Sequence, residues 1–330
     1  MPSAKPKSEL ELLRSIRARA AAPGSGLRLG IGDDCALLSL KPGEEAAVTT
    51  DLSIAGRHFE LAWHPPEAVG HRALARGLSD LAAMGARPVA AFLSLGLPQS
   101  LTRAHGRQPA WVDRFYTGLL ALAARHHCPL AGGDLAQSPV TVADIVLVGA
   151  VRRGYALLRS GARPGHRLFV TGTLGGAALG LDRLRHWAKA GGKRLPVRLQ
   201  VEFAAHLAPE PRLPQGAWLV RHAVASAAID LSDGLSTDLA HLCEESGVSA
   251  EVDAARLPLA PGATLAQALH GGEDYELLFA AHPSARIPRR IAGVQVTEIG
   301  RFLRRGAPSV TLITGSTRAR LAPQGWEHFW

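Results

Sequence analysis

The chain has 330 residues, of which 47% are hydrophobic, and its formal net charge is +9. Domains usually span about 100–200 residues, so the length predicts two folded domains, each with a core of its own. The sequence has neither the apolar run of about 18 residues that a membrane span needs nor a secretion signal, which predicts a cytoplasmic protein. Three scattered cysteines, Cys35, Cys128 and Cys243, indicate neither a disulfide framework nor a zinc site.

The excess of basic residues is a feature that nucleic-acid-binding proteins share. Aromatic residues make up only 5% of the chain, which is too few for a platform that stacks bases. Arginines spread over solvated faces explain the charge more simply, and their field would attract small molecules that carry phosphate. We therefore expect neither a nucleic-acid partner nor a membrane partner.

Apolar periodicity and turn residues predict alternating helices and strands in the first half of the chain. The predicted elements are a helix over 8–20, a strand over 45–51, a helix from Pro66 to near Gly85, a strand over 89–97, a helix over 109–127, a short strand over 128–133 that ends in a turn, and a strand or strand pair over 141–151.

Turn residues at Gly161, Pro164 and Gly165 interrupt the pattern of strands and helices, and we place a domain boundary between residues 150 and 160. Beyond it, residues 170–181 read as a strand end, a glycine-rich turn and a helix. Residues 226–247 read as strand, turn and helix, and 268–282 as a turn followed by a strand. The predicted class is α/β, with domains over 1–153 and 154–330.

Several acidic residues stand at the ends of apolar strands, beside glycines or hydroxyl side chains. They occur in the motifs GIGDD, VTTD, LSDLAAMGA, LAGGD, AIDLSDG and HGGEDYE. A carboxylate in such a position needs a cation, a salt bridge or backbone amides, because burying it alone costs several kcal/mol. If these turns converge, they form an all-oxygen site, which selects Mg²⁺ or Ca²⁺ rather than zinc and indicates phosphate chemistry.

Each motif also has a purely structural interpretation. Asp233 could cap the helix that follows it, Asp80 could be an exposed helix residue, and caps and turns are the commoner use of Asp. His58 could be a turn residue, Arg159 a surface charge and Trp326 a packing anchor. The glycine-rich turn in VTGTLGGAALGL matches neither GxGxxG nor a P-loop, so a structural turn is favoured there.

Taken in order, GIGDD, TTD, AGRHF, LSDLAAMGA, GGD, LLRSGARPG, VTGTLGG, IDLSDG, HGGEDYEL and GWEHF resemble the thiamine-monophosphate kinases. These belong to the larger family of aminoimidazole-ribonucleotide-synthetase-like ATP enzymes. The resemblance runs from about residue 9 to residue 330. It implies ATP-dependent phosphorylation of thiamine monophosphate to thiamine diphosphate by direct in-line transfer, with several Mg²⁺ ions and without a general base or a covalent nucleophile.

The resemblance also implies an architecture and a set of site residues. The N-terminal domain would bind ATP and Mg²⁺ through a mixed sheet and form a homodimer by joining sheets into a β-barrel, and the C-terminal α/β domain would complete the active site. The implied Mg²⁺ ligands are Asp34, Thr49, Thr50, Asp51, Asp80, Asp134, Asp230 and Asp233, with Asp33 supporting them. The implied ATP contacts are Gly133, Asp134, Arg159 and Ser232, and the implied thiamine monophosphate contacts are His58, Glu273 and Trp326.

Two positions depart from the family's pattern. Leu52 follows Asp51 where a Thr is usual, and Leu135-Ala136-Gln137 follows Asp134 where polar residues are usual. These departures put local hydrogen bonds in doubt rather than the carboxylates. Two alternatives stay open at this point: another enzyme of the larger family, such as an aminoimidazole ribonucleotide synthetase, and a nucleotide- or nucleic-acid-binding protein without catalysis.

Overall fold

The structure, a computed structural model, describes residues 7–20, 26–106, 108–192, 195–304 and 309–326. The chain forms two compact units. The first unit comprises Met1–Leu78, Arg87–Arg152 and Ala188–Val197, and the second comprises Ser79–Ala86, Arg153–Trp187 and Arg198–Trp330. No helix in the described ranges combines the length and the apolar character that a membrane crossing requires.

The described ranges contain both helices and strands. The helices are α1 (Glu9–Ala20), α2 (Pro66–Ala83), α3 (Trp111–Arg125), α4 (Gly176–Lys189), α5 (Val197–Glu202), α6 (Ala204–Leu207), α7 (Leu213–His222), α8 (Leu235–Ser246) and α9 (Leu265–His270). The strands are β1 (Leu27–Leu29), β2 (Leu37–Leu38), β3 (Glu44–Ile54), β4 (Arg87–Leu97), β5 (Leu130–Gln137), β6 (Val142–Arg152), β7 (Arg167–Thr171), β8 (Ala225–Asp230), β9 (Ser249–Asp253), β10 (Leu277–Ala281), β11 (Arg290–Ile291), β12 (Val294–Leu303), β13 (Val310–Thr314) and β14 (Thr317–Arg320).

The first unit contains a four-stranded mixed sheet in the order β3-β6-β4-β5. Strand β6 runs antiparallel to both β3 and β4, and β4 runs parallel to β5. Helices α2 and α3 cross very closely, because a Cβ on Gly70 would lie 2.0 Å from the Phe115 carbonyl oxygen and one on Gly118 would lie 1.9 Å from that of Glu67. Glycine is therefore required at both crossing points.

Strand β3 has one covered and one exposed face. Since side chains alternate along a strand, Thr49 and Asp51 share the face on which Leu147, the cross-strand partner of Thr49, meets Gly77 of α2. The side chains on the opposite face of β3 are exposed: Ala46, Val48, Thr50 and Leu52. Among the described strands, β3 pairs with β6 alone, so it is an edge strand of this sheet.

The second unit is built on a sheet in the order β14-β13-β9-β12-β7-β10-β8, with β11 paired to β12. Strand β10 is buried along its whole length and lies antiparallel to both β7 and β8. Its inner face and α8 share one apolar core, in which Leu239, Leu278 and Phe302 are fully buried. This packing fixes the positions at which the chain leaves β8 and enters β10.

The mixed α/β class with two units is confirmed, and the elements expected in the first half of the chain are found with small changes of boundary. Residues 142–152 form one strand. The turn expected after Gly133 was wrong, because β5 continues through Asp134 to Gln137. Residues Leu135–Gln137 pair in parallel with Leu95–Leu97, which holds this segment extended.

Candidate active site

Two acidic loops of the second unit leave the sheet side by side. Asp230, the last residue of β8, pairs with Leu277, the first residue of β10. The pairing continues beyond the strands, because the Glu273 amide donates to the Ser232 carbonyl at 2.7 Å and the Tyr275 amide donates to the Leu231 carbonyl at 2.9 Å. The motifs IDLSDG and HGGEDYE, which are some 40 residues apart in sequence, therefore form one surface.

The C-terminal segment joins these loops. The Trp326 amide donates to the Asp233 carbonyl at 3.1 Å, and the Gly325 amide donates to Thr237 Oγ1 at 3.0 Å. A Cβ on Gly325 would lie 2.0 Å from the Asp233 carbonyl oxygen, so only glycine permits this approach. The Trp326 side chain is 47% exposed beside Asp233. The rest of the GWEHF motif, residues 327–329, lies outside the described residues.

A third carboxylate, which the sequence reasoning missed, lies beneath the IDLSDG loop. Asp238 in α8 is buried and accepts hydrogen bonds from the backbone amides of Asp233 and Gly234 at 3.1 and 3.0 Å. Burial and then the charges of Asp230 and Asp233 raise the pKa of Asp238 well above its usual value. The N-cap of α8 is Gly234, whereas the structural interpretation of Asp233 had made that residue the cap.

Asp230 is itself buried and is held from the end of α2. Ser79, which is fully buried, donates its hydroxyl to Asp230 Oδ2 at 2.7 Å. Both residues belong to the second unit, as does Asp80, the next residue along the helix. The LSDLAAMGA motif thus brings Asp80 close to the IDLSDG loop.

The acids of the HGGEDYE loop have separate partners. Glu273 Oε2 lies 3.4 Å from Nδ1 of His206, a buried residue of α6. Asp274 accepts hydrogen bonds from the amides of Gly175 and Ala177 at 2.6 and 3.0 Å, at the start of α4. Burial raises the pKa of Asp274 to about 7, although these amides act in the opposite direction. The glycine-rich turn is therefore capped by Asp274, in keeping with its structural interpretation.

Glu276, at the end of this loop, is the centre of a buried polar network. It forms a two-point ion pair with Arg212, at 2.6 and 2.5 Å, and accepts the Thr171 hydroxyl at 2.6 Å. Burial alone would lower the pKa of Arg212, but the hydrogen bond and charge of Glu276 outweigh burial and raise it. Both Glu273 and Tyr275 have left-handed backbone angles, with φ of 69° and 49°, so the backbone of the loop is strained. The contacts of Glu276 stabilise the loop in this conformation.

Arg159 lies elsewhere in the second unit. Its carbonyl accepts the hydroxyl of Ser246, in the last turn of α8, at 2.6 Å. Asp233 precedes the first turn of the same helix, and a 12-residue helix is about 18 Å long. Within this unit, the backbone of Arg159 is therefore well separated from the acidic loops.

In the first unit, the predicted metal ligands of VTTD lie on β3. Asp51 Oδ1 is 3.4 Å from Nε of Arg76, on the face covered by α2, and Thr49 shares this face. Thr50 points to the opposite, exposed face. The three consecutive residues therefore do not present their side chains to one point.

Gly133 and Asp134 are on β5, at the other edge of the same sheet. Asp51, Ile145, Leu93 and Gly133 form one cross-strand row, so Asp51 and Gly133 are three strand spacings, or about 14 Å, apart. Gly133 has φ of +145°, and a Cβ there would lie 1.9 Å from the Leu93 carbonyl oxygen. Asp134 is exposed and accepts its neighbour's amide, Leu135 N, at 2.8 Å. Asp51 and Asp134 are thus too far apart to bind one ion together.

The remaining candidates of the first unit lie in loops. Asp33 and Asp34 are exposed, and Asp33 Oδ1 accepts the Asp34 amide at 3.0 Å. His58 follows β3 in a turn, where its Nδ1 accepts the Ile54 amide at 3.1 Å. This hydrogen bond assigns the proton of the neutral imidazole to Nε2. His58 is therefore a turn residue with a fixed ring orientation.

The chemistry of the donor atoms suits Mg²⁺, because the candidates offer carboxylate and hydroxyl oxygens. Among the described residues, no three His, Cys, Asp or Glu side chains meet as a ready-made metal cluster. Mg²⁺ is usually bound by one or two carboxylates, with waters and substrate phosphates completing its shell. The scattered carboxylates therefore fit ions that arrive with a nucleotide better than a metal enclosed by protein ligands.

Comparison with known proteins identifies the class. Residues 32–151 match the N-terminal domain of the AIR synthase related proteins, and residues 163–313 match their C-terminal domain. The chain is 36% identical over 341 residues to the thiamine-monophosphate kinase of Escherichia coli K12, covering 97% of this chain and 98% of that one. The chain belongs to the thiamine-monophosphate kinase family.

Solved structures agree. The thiamine-monophosphate kinase of Stenotrophomonas maltophilia K279a is 35% identical with a TM-score of 0.76, covering 94% of this chain and 97% of that chain. AaThiL in complex with AMPPCP and TMP is 30% identical with a TM-score of 0.72, covering 97% of each chain. HypE, a hydrogenase maturation protein solved with ATP, is 17% identical with a TM-score of 0.74, so it shares the fold only.

Proposed function

We infer that this protein transfers the γ-phosphoryl group of ATP to thiamine monophosphate, giving thiamine diphosphate and ADP. The observation that carries this conclusion is similarity to thiamine-monophosphate kinases along nearly the whole chain, including relatives that cover 97% of it. A related protein has been solved with AMPPCP and TMP, an ATP analogue and the acceptor, which fits the same reaction. This similarity favours the kinase over the aminoimidazole ribonucleotide synthetase alternative.

The acceptor is already an anionic phosphate, so the reaction needs no strong base. Its main obstacle is the approach of two polyanions, since two unit charges about 4 Å apart repel by roughly 4 kcal/mol at an effective dielectric near 20. Mg²⁺ would supply charge neutralisation between the phosphates when bound. The role left to the chain is to hold the reactants in line and to exclude water.

We propose that the acidic loops bind the Mg²⁺ ions that accompany ATP. In the second unit the proposed ligands are Asp230, Asp233 and Asp80. The short hydrogen bond from Ser79 would hold the Asp230 carboxylate in place while its other oxygen binds metal. In the first unit the proposed ligands are Asp34, Thr49, Thr50, Asp51 and Asp134. The separation of Asp51 from Asp134 supports several ions rather than one, and Thr50 would contribute through its backbone carbonyl.

For the nucleotide, the proposed contacts are Gly133, Asp134, Arg159 and Ser232. Ser232 is supported by its place in the IDLSDG loop, where its carbonyl already binds the Glu273 amide. Arg159 is exposed, so its long side chain is available to a phosphate.

For thiamine monophosphate, the proposed contacts are His58, Glu273 and Trp326. The thiazolium ring of the acceptor carries a permanent positive charge, which suits a carboxylate and the face of an indole ring. Glu273 and the half-exposed Trp326 lie at the same pair of loops, which supports this pairing.

We also propose a homodimer that joins two sheets of the first unit into a barrel. The exposed face of β3 carries Val48 and Leu52, which are 63% and 45% exposed. Exposed apolar residues on an edge strand are typical of a surface that another copy covers. Leu52, a departure from the family's usual Thr, adds apolar area to this face.

Phosphorus NMR of the purified protein with ATP, Mg²⁺ and thiamine monophosphate tests the reaction. We expect thiamine diphosphate to appear in step with ADP and neither to appear without acceptor. Asp233→Asn should raise the Mg²⁺ concentration for half-maximal rate at least about tenfold. The control is Asp253→Asn, a half-buried acid of the same unit whose carboxylate accepts the Ala255 amide instead. Full activity of Asp233→Asn at low Mg²⁺ would remove Asp233 from the metal site.

A further inference from the structure

His206 is a buried histidine that faces the strained acidic loop. Its side chain is 1% exposed, and its Nδ1 lies 3.4 Å from Oε2 of Glu273. A buried imidazole within ion-pair distance of a partly exposed carboxylate favours one direction of that carboxylate, because the imidazole itself cannot turn into water. The contact links α6 with a loop 67 residues further along the chain.

The position of His206 is itself tightly determined. In α4, a Cβ on Gly180 would lie 3.0 Å from the Cβ of His206 and 3.5 Å from its amide nitrogen. The glycine thus lets α6 approach α4 closely, and the His206 amide is bound to the Phe203 carbonyl at 3.0 Å. The imidazole is therefore presented to Glu273 from a rigid support.

The neighbouring acids of the loop have partners of other kinds. Asp274 caps α4, and Glu276 is paired with Arg212, six residues after His206. These contacts hold the backbone of the loop, whereas the contact with His206 acts on the Glu273 carboxylate alone. A change at His206 should therefore reorient one side chain without releasing the loop.

We propose that His206 is a positioning residue that aims the Glu273 carboxylate at the cationic ring of the acceptor substrate. This inference rests on the proposed function and on Glu273 as an acceptor contact. His206 sets the affinity for thiamine monophosphate through Glu273 and does not itself touch the substrate. It has no part in binding ATP.

The test compares two amides of different length. His206→Asn places a side-chain N–H near the position of Nδ1, while His206→Gln places it near Nε2, away from Glu273. We expect His206→Gln to raise the Kd and KM for thiamine monophosphate roughly fivefold or more, with the KM for ATP changed less than about twofold. His206→Asn should stay close to the wild type. The matched control is His166→Gln, a buried histidine of the same unit that bonds Ser226 instead.

Calorimetric titration of thiamine monophosphate in the absence of ATP gives the Kd directly, and steady-state kinetics give both KM values. A double variant with Glu273→Gln completes the test. If His206 acts through Glu273, adding His206→Gln to Glu273→Gln changes the Kd less than about twofold.

Three results would overturn the inference: equal behaviour of the Asn and Gln variants, equal loss for both substrates, or multiplying effects in the double variant. A wild-type protein that makes no thiamine diphosphate would instead refute the proposed function. The two failures are therefore distinguishable.

Discussion

The buried ion pair between Arg212 and Glu276 gives a prediction about stability. The Glu276 side chain is 4% exposed, and Arg212 contacts both of its carboxylate oxygens. Arg212→Met would keep much of the apolar stem and leave a buried carboxylate without its cation. Losing one partner of such a pair costs about 3–5 kcal/mol, so we expect the free energy of unfolding to fall by that amount.

A double variant separates the charge from the packing. In Arg212→Met with Glu276→Gln no charge remains, and the amide oxygen still accepts the Thr171 hydroxyl. The double variant leaves no buried charge but keeps a buried amide N–H group that has lost its partner, so it should recover part of the loss. Arg183→Met, which breaks the exposed pair with Glu202, is the control and should change stability by less than about 1 kcal/mol.

Urea unfolding followed by both circular dichroism and tryptophan fluorescence measures these differences. Coincidence of the two probes is required, because a chain with two units can depart from a two-state transition. A loss below about 1 kcal/mol in Arg212→Met, or a double variant as unstable as the single one, would refute the role assigned to this ion pair.

Three further predictions address other parts of the molecule. The pKa of Asp274 is raised to about 7, so its contribution to stability is present at low pH and is lost as the pH rises towards 7. Between pH 5 and pH 8, the free energy of unfolding of Asp274→Asn should therefore gain about 2–3 kcal/mol relative to that of the wild type. A difference that stays constant over this range would contradict the raised pKa. Trp326→Ala should raise the KM for thiamine monophosphate more than that for ATP, and equal effects in steady-state kinetics would remove Trp326 from the acceptor site. Val48→Glu should lower the mass measured by sedimentation from dimer to monomer, while Val197→Glu, at an exposed valine on α5, should not. An unchanged mass for Val48→Glu would exclude the β3 face from the interface.

The sequence was a good guide wherever local pattern decides structure. The continuous apolar run at β4 and the amphipathic run of α1 each gave a correct element, because burial follows the period of the chain. The acidic motifs also pointed to loops that the structure brings together, as Ser232, Glu273 and Trp326 illustrate.

The same reasoning missed residues whose meaning depends on a distant partner. Arg212 and Glu276 are 64 residues apart, and Thr171 and Glu276 are 105 residues apart. Asp238 was not among the predicted site residues, because nothing along the chain shows that it is buried close to two other acids. Side chains alternate along a strand, so Thr50 points away from the face that Thr49 and Asp51 share. A motif written as consecutive residues does not show this.

The segment Ser79–Ala86 has a consequence for how the protein is made. It is synthesised within the first third of the chain, yet it belongs to the second unit, where Ser79 binds a residue 151 positions later. At translation rates of about 5–20 residues per second, Asp230 is synthesised roughly 8–30 seconds after Ser79. A Cβ on Gly216 would also lie 2.0 Å from the Ala82 carbonyl oxygen, so α7 is shaped to receive this early segment. A fragment that starts at residue 154 would lack it, and the second half of the gene therefore does not encode a self-sufficient module.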